Sequence, residues 1–129
     1  MKIVVDTNVI VSSLINAYGN PAKVMSLILN GKAEIVYDNR ILEEYFMVLN
    51  RKHFSFLKKD INHLINFFKE NGDYVLAEPI KRKFIDEDDK KFYEVLETAR
   101  ANYLITGNLK HYPKEKRIIT PQKLIGDFR

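Results

Sequence analysis

A parallel α/β sheet covered on both faces is the fold class this sequence predicts, and three observations predict it. Its apolar runs are short and mostly β-branched, such as Ile3-Val4-Val5, and they do not alternate with polar residues, as strands buried on both faces require. Stretches with helical spacing separate most of these runs, and helical crossovers join parallel neighbours in a sheet. Finally, the chain of 129 residues has the size of one domain, enough for a real core but too little for two. We therefore read residues 1–129 as a single three-layer α/β/α domain.

The elements follow in order. Ile3-Val4-Val5 is the first strand, and from Asn8 the residues Val9, Ile10, Leu14 and Ile15 recur as on a helix that ends at Gly19-Asn20. Pro21 then takes the first position of a second helix with Asn20 as its cap, and Gly31 ends it. Glu34-Ile35-Val36-Tyr37 is the second strand, after which Asp38 or Asn39 starts a helix reaching about Arg51. A helix from about Lys58 to Glu70 turns Ile61, Leu64, Ile65 and Phe68 inward, and Tyr74-Val75-Leu76 is the third strand. The stretch from Glu78 to Ile85, with Pro79 and a basic triplet, is loop. Asp88 to Ala101 is helical, Tyr103-Leu104-Ile105 and Arg117-Ile118-Ile119 are strands four and five, and Pro121 opens a last short helix.

Composition narrows the chemistry. The absence of cysteine excludes disulfides, thiolate zinc sites and cysteine nucleophiles together. The histidines His53, His63 and His111 lie in separate segments without His-x-x-x-His spacing, so oxygen-ligated Mg²⁺ or Mn²⁺ is the metal the sequence favours. No apolar stretch approaches the roughly 18 residues of a membrane span, and Asp6 interrupts any signal-peptide core; a cytoplasmic protein is expected. A net charge of +4 suits a polyanionic partner and equally an ordinary basic protein. Against that basic background the run Asp86-Glu87-Asp88-Asp89 is costly unless a cation sits there.

Asp6 ends the first strand, where open α/β sheets present residues to a ligand crevice. Alone it reads equally as a helix cap, a role also open to Thr7 and Asn8. Residues following strand four, Thr106-Gly107-Asn108, are expected beside it. On the third helix Glu44 falls on the flank of the apolar side formed by Ile41, Tyr45, Val48 and Leu49, whereas Glu43 faces further toward solvent. A cap accounts for one or two acids of the later run, leaving Asp89 to face the same edge. Carboxylates converging there imply raised pKa values or a divalent cation.

Four segments in this order, Asp6-Thr7-Asn8-Val9, Leu42-Glu43-Glu44, Asp86-Glu87-Asp88-Asp89-Lys90-Lys91-Phe92 and Tyr103-Leu104-Ile105-Thr106-Gly107-Asn108, resemble the signature of PIN domains over almost the whole chain. The resemblance is nearest to single-domain PIN toxins of toxin–antitoxin pairs. It implies a sheet of order 3-2-1-4-5 and a Mg²⁺- or Mn²⁺-dependent ribonuclease cutting single-stranded RNA, with an antitoxin and a homodimer as partners. By position Asp6, Glu44 and Asp89 match its acids and Asp86 is the reserve, so that Asp6, Glu44 and Asp89 should form one metal-sized cluster with Asp86 slightly outside. The family's frequent fourth acid falls on Asn108, which either orients water or metal or simply starts a short helix. Asn8 and Thr106 would act through hydrogen bonds, and Lys81, Arg82, Lys83 and Lys110 would track an RNA backbone. Two rivals stand beside this reading. A haloacid-dehalogenase-type phosphatase would want an acid where Asn8 stands, and a PIN-like binding module with a weakened site is favoured by Asn108 alone.

Overall fold

The computed structural model describes residues 1–128. Strands β1 (Lys2–Val5), β2 (Glu34–Tyr37), β3 (Asp73–Tyr74), β4 (Tyr103–Ile105) and β5 (Ile118–Ile119) form one sheet of order β3-β2-β1-β4-β5, with every neighbouring pair parallel. Helices α1 (Thr7–Ile15), α2 (Asn20–Leu29), α3 (Asn39–Leu49), α4 (Lys58–Asn71), α5 (Lys90–Ala99) and α6 (Pro121–Asp127) fill the connections and the end of the described chain. Consecutive residues Ile3, Val4 and Val5 of central β1 are fully buried, which requires cover on both faces of the sheet. The three-layer α/β architecture and its strand order agree with expectation.

Several boundaries differ from the sequence reading, each for a local reason. The third strand, expected over Tyr74-Val75-Leu76, is shifted, because pairing with β2 joins Val36 to Asp73 and Tyr37 to Tyr74. Beyond that pair only the bond from Val75 N to the Tyr37 carbonyl continues, because β2 has by then turned into α3. The second helix takes Gly19 as its cap residue, without a side-chain bond, and Asn20 lies inside it. The third helix ends at Leu49 rather than Arg51, and a 3₁₀ turn over Lys52–Phe54 follows. The helix expected from Asp88 to Ala101 is a 3₁₀ turn over Glu87–Asp89 and then α5, which stops where Arg100 adopts a left-handed φ of 50°. Gly31 closes α2 as expected, at a φ of 76° where a side chain would be strained. Leu14 and Ile15, on the apolar side of the first helix in the sequence, are exposed instead.

Register places the site. Val5 pairs with Ile105, so the next residues, Asp6 and Thr106, emerge side by side at the carboxyl edge. The fold is locked there by the Asp6 N–H donating to the Ile105 carbonyl at 2.9 Å and by the buried Tyr45 hydroxyl donating to the Val5 carbonyl.

Candidate metal centre at the carboxyl edge of the sheet

Asp6 caps α1, but weakly: its Oδ1 accepts from the Asn8 N–H at 3.3 Å. Its Oδ2 accepts the Thr106 hydroxyl at 2.9 Å and the Tyr112 hydroxyl at 3.0 Å. The cap thus falls on one oxygen and the two hydroxyl bonds on the other. Although only 6% exposed, Asp6 enters none of the ion pairs among the described residues. A buried carboxylate held by hydroxyls and left without a cation is a poor structural charge and a good metal ligand.

Asp38 makes the contrast. It follows β2 as Asp6 follows β1 and is equally buried. Its Oδ1 caps α3 through the Ile41 N–H at 3.0 Å, while Arg40 donates to Oδ2 from Nε at 2.9 Å and from Nη2 at 2.7 Å. Arg40 also reaches buried Glu94 through Nη1 at 2.8 Å. That acid is neutralised and structural.

Asp89 takes the cap position of α5 without making a cap bond. Its Oδ2 instead meets His111 Nδ1 at 2.9 Å. Burial raises its pKa first and the charge of Asp6 second, against the lowering effect of His111, so Asp6 and Asp89 feel each other as like charges. Both also help drive the Tyr112 phenol far above its ordinary value, after burial itself. The phenol therefore stays protonated and keeps donating to Asp6.

Asp86 caps its 3₁₀ turn through the Asp88 N–H at 3.0 Å. Ligand atoms of Asp86, Asp89 and His111 all lie within 4.8 Å of one another. This tight group includes Asp86, expected slightly outside, and omits Asp6 and Glu44, expected within.

Glu44 is half-buried on the flank of α3, Glu43 is exposed, and neither oxygen of Glu44 is idle. Thr7, the residue after Asp6, donates to Oε2, and Lys91 Nζ sits 2.7 Å from Oε1. Its carboxylate thus borders the Asp6 segment while its charge is balanced by a largely buried lysine. Glu44, Lys91 and Arg40 line a groove of about 1040 Å³ between α3 and α5.

Asn108 caps nothing with its side chain. Its N–H donates to Thr106 Oγ1 at 3.0 Å, and its Nδ2 meets His111 Nε2 at 2.9 Å. Asn8 is exposed and lends the site only its backbone N–H. Lys81, Arg82, Lys83 and Lys110 are exposed. The loop of the first three is nevertheless tied to the site, because Phe84 packs edge-on against Tyr112 with 6.2 Å between ring centroids; Lys110 lies on the 3₁₀ turn Leu109–His111. A cleft of about 190 Å³ lies between Arg82 and Lys83 of the basic loop and His111 and Tyr112.

Sequence reasoning passes over Thr7, Lys91, His111 and Tyr112. The signal for His111 is present in the spacing Asn-x-x-His at 108 and 111, which repeats the Asp-x-x-Asp spacing at 86 and 89. Each spacing spans one 3₁₀ turn, where side chains three apart eclipse.

Comparison with known proteins points to one family. A family profile described as PIN domain matches residues 2–110. The chain is also 33% identical over 143 aligned positions to the uncharacterized protein MJ1680 of Methanocaldococcus jannaschii, an alignment covering 99% of this chain and 92% of that one. Among the described residues no helix is long and apolar enough to cross a membrane.

Proposed function

Since this chain belongs to the PIN-domain family, a family of metal-dependent nucleases, we propose that it is a Mg²⁺- or Mn²⁺-dependent endoribonuclease acting on single-stranded RNA, the toxin of a toxin–antitoxin pair. The observation carrying this reading is Asp6, a buried carboxylate at the sheet edge with hydroxyl donors, no basic partner and Asp89 close enough to perturb. Family membership displaces the phosphatase alternative, which wants a second acid at Asn8.

The donor set fits a hard divalent cation. Asp6 and Asp89 hold it, with Asp86 in reserve. When bound, the ion supplies a polarised water and charge relief at the phosphate. Thr106 and Tyr112 fix the Asp6 carboxylate so that little rearrangement is needed on loading. Glu44, aimed by Thr7 and balanced by Lys91, helps to bind the ion or orients the attacking water. Lys81, Arg82, Lys83 and Lys110 meet RNA phosphates through counterion release, which is independent of sequence and weakens with salt. The antitoxin and a homodimer complete the proposed setting in the cytoplasm.

Cleavage of an internally quenched single-stranded RNA tests the reading: turnover in Mn²⁺ and none in EDTA is expected. Equal rates in both would refute it. The amide Asn108, which stands where the family's frequent fourth acid is expected and meets His111 Nε2 through Nδ2, favours one second reading, a PIN-like RNA- or partner-binding module with a weakened site. Mn²⁺ binding with RNA binding but no cleavage would select it.

A further inference from the structure

We propose that the cleft between the basic loop and the His111–Tyr112 segment takes a single nucleobase of the RNA, guanine before the others, and that Arg82 reads its edge. The proposal rests on the RNA reading above and adds to it a base contact beside the scissile phosphate.

Position is the first argument. Arg82 and Lys83 form one side of the cleft, His111 and Tyr112 the other. Those last two residues also touch the acids: His111 Nδ1 lies 2.9 Å from Asp89 Oδ2, and the Tyr112 hydroxyl lies 3.0 Å from Asp6 Oδ2. An occupant of the cleft is thus one residue away from both carboxylates, where a nucleotide flanking the cut must lie. At about 190 Å³ the cleft is smaller than the roughly 300 Å³ at which pockets for drug-sized ligands begin. It suits one base and excludes two stacked ones.

The second argument is a wall prepared for an apolar face. The basic triplet is pinned at both ends. Before it, the Ile80 N–H donates to Glu94 Oε2 at 2.8 Å; after it, Phe84 packs against Tyr93 and Tyr112 with ring centroids 5.6 and 6.2 Å away. Ile85 follows, and Asp86 beyond it is fixed by capping its own turn. Ile85 is nonetheless 81% exposed, and it lines the cleft together with Pro113. An isoleucine held out between two anchored neighbours offers apolar surface with little left to order on binding, and the face of a base can cover it.

The polar groups choose the base. Both ring nitrogens of His111 are engaged, by Asp89 and by Asn108, and the Tyr112 hydroxyl is spent on Asp6. Arg82 and Lys83 enter none of the ion pairs among the described residues, and their side chains can only donate. The Arg82 guanidinium lies over the Tyr93 ring, 5.9 Å from its centroid, which occupies its face and leaves its N–H edge free. Guanine offers that fork two neighbouring acceptors, O6 and N7, the commonest specific contact between arginine and a base. Adenine sets a donor beside N7 and is refused. As a purine, guanine also covers more of Ile85 than a pyrimidine does. Arg82 thus gives its fork to the base, and Lys83 meets the phosphate.

Fluorescence anisotropy in EDTA at fixed salt, with labelled uridine octamers carrying one central guanosine, adenosine or cytidine, tests the proposal without measuring cleavage. The guanosine octamer should bind at least about fivefold more tightly than the other two. Arg82→Lys keeps the charge and loses the fork, and should bring the three affinities within about twofold of one another; a residue that merely met phosphate or propped the loop would leave their ranking as it was. Ile85→Ser, at an exposed position, should weaken the guanosine octamer about threefold or more. Equal binding of the three octamers, or a guanosine preference that survives Arg82→Lys, overturns this proposal and leaves the nuclease reading intact. Guanosine-selective binding by a protein that cuts no RNA in Mn²⁺ overturns the nuclease reading and upholds this one. Failure to bind any octamer overturns this proposal, and cleavage in Mn²⁺ then decides the nuclease reading by itself.

Discussion

Replacing Asp6 by Asn separates a ligand charge from a structural contact, because the amide has the shape of the carboxylate and the neighbouring hydroxyls can turn to suit it. Thr106 and Tyr112 both donate to Oδ2, and hydrogen bonds to a charged acceptor are worth about 1 kcal/mol more than neutral ones. The substitution therefore costs the metal-free protein about 2 kcal/mol in hydrogen bonding. Relief of the repulsion between Asp6 and Asp89, whose pKa that charge helps to raise, offsets part of this. The metal-free Tm should accordingly move by less than about 8 °C. Saturation tells more. A ligand at 100 times its Kd stabilises by about 2.7 kcal/mol, and unfolding entropies of about 2.1 cal/mol/K per residue over 129 residues convert this to a rise of about 10 °C. Thermal melts with and without Mn²⁺ should show that rise in the unaltered protein and only a small part of it in Asp6→Asn. RNA cleavage should fall at least about 10²-fold. An undiminished Mn²⁺-dependent rise in Asp6→Asn would refute the assignment of Asp6 as a ligand, whatever happened to activity.

Two further substitutions probe the charges around the site. Lys91→Met keeps the apolar stem but removes the ammonium from Glu44; losing one positive charge beside the acids should tighten Mn²⁺ binding about threefold or more, and weaker binding measured by calorimetry would show that Lys91 holds the ligands in place instead. Arg40→Ala strips the partner from two buried carboxylates, Asp38 and Glu94, a change that costs about 3–5 kcal/mol for a fully buried pair. With Arg40 itself half exposed, about 2 kcal/mol is the expected loss by urea unfolding, and a change below about 0.5 kcal/mol would mean that water replaces the guanidinium freely.

The strand core is legible because burial on both faces writes itself as unbroken apolar runs, and β1, β2 and β4 fall where those runs lie. Edge pairing is less so: Val75 and Leu76 have strand chemistry, yet the neighbouring strand has ended, and that is a property of β2. The same limit applies to the candidate metal centre. Asp6 and Thr106 can be paired from the sheet alone, since residues at the ends of adjacent parallel strands are neighbours. His111 and Tyr112 reach the site through a turn that crosses back over the edge, and no periodicity reports such a crossing.

Two acids at the sheet edge differ in a way that the sequence itself carries. Asp6 and Asp38 both follow a buried strand, both begin a helix and both are buried, so position and burial do not separate them. Their neighbours along the chain do. Arg40, two residues after Asp38, folds back to form two bonds to its carboxylate; the residues after Asp6 are Thr7 and Asn8, neither of which can carry positive charge. An acid with its counter-ion encoded two residues away needs no bound cation to balance its charge. Without one, an acid in the same place depends on what binds, and this is why a metal should stabilise this protein through Asp6 and not through Asp38.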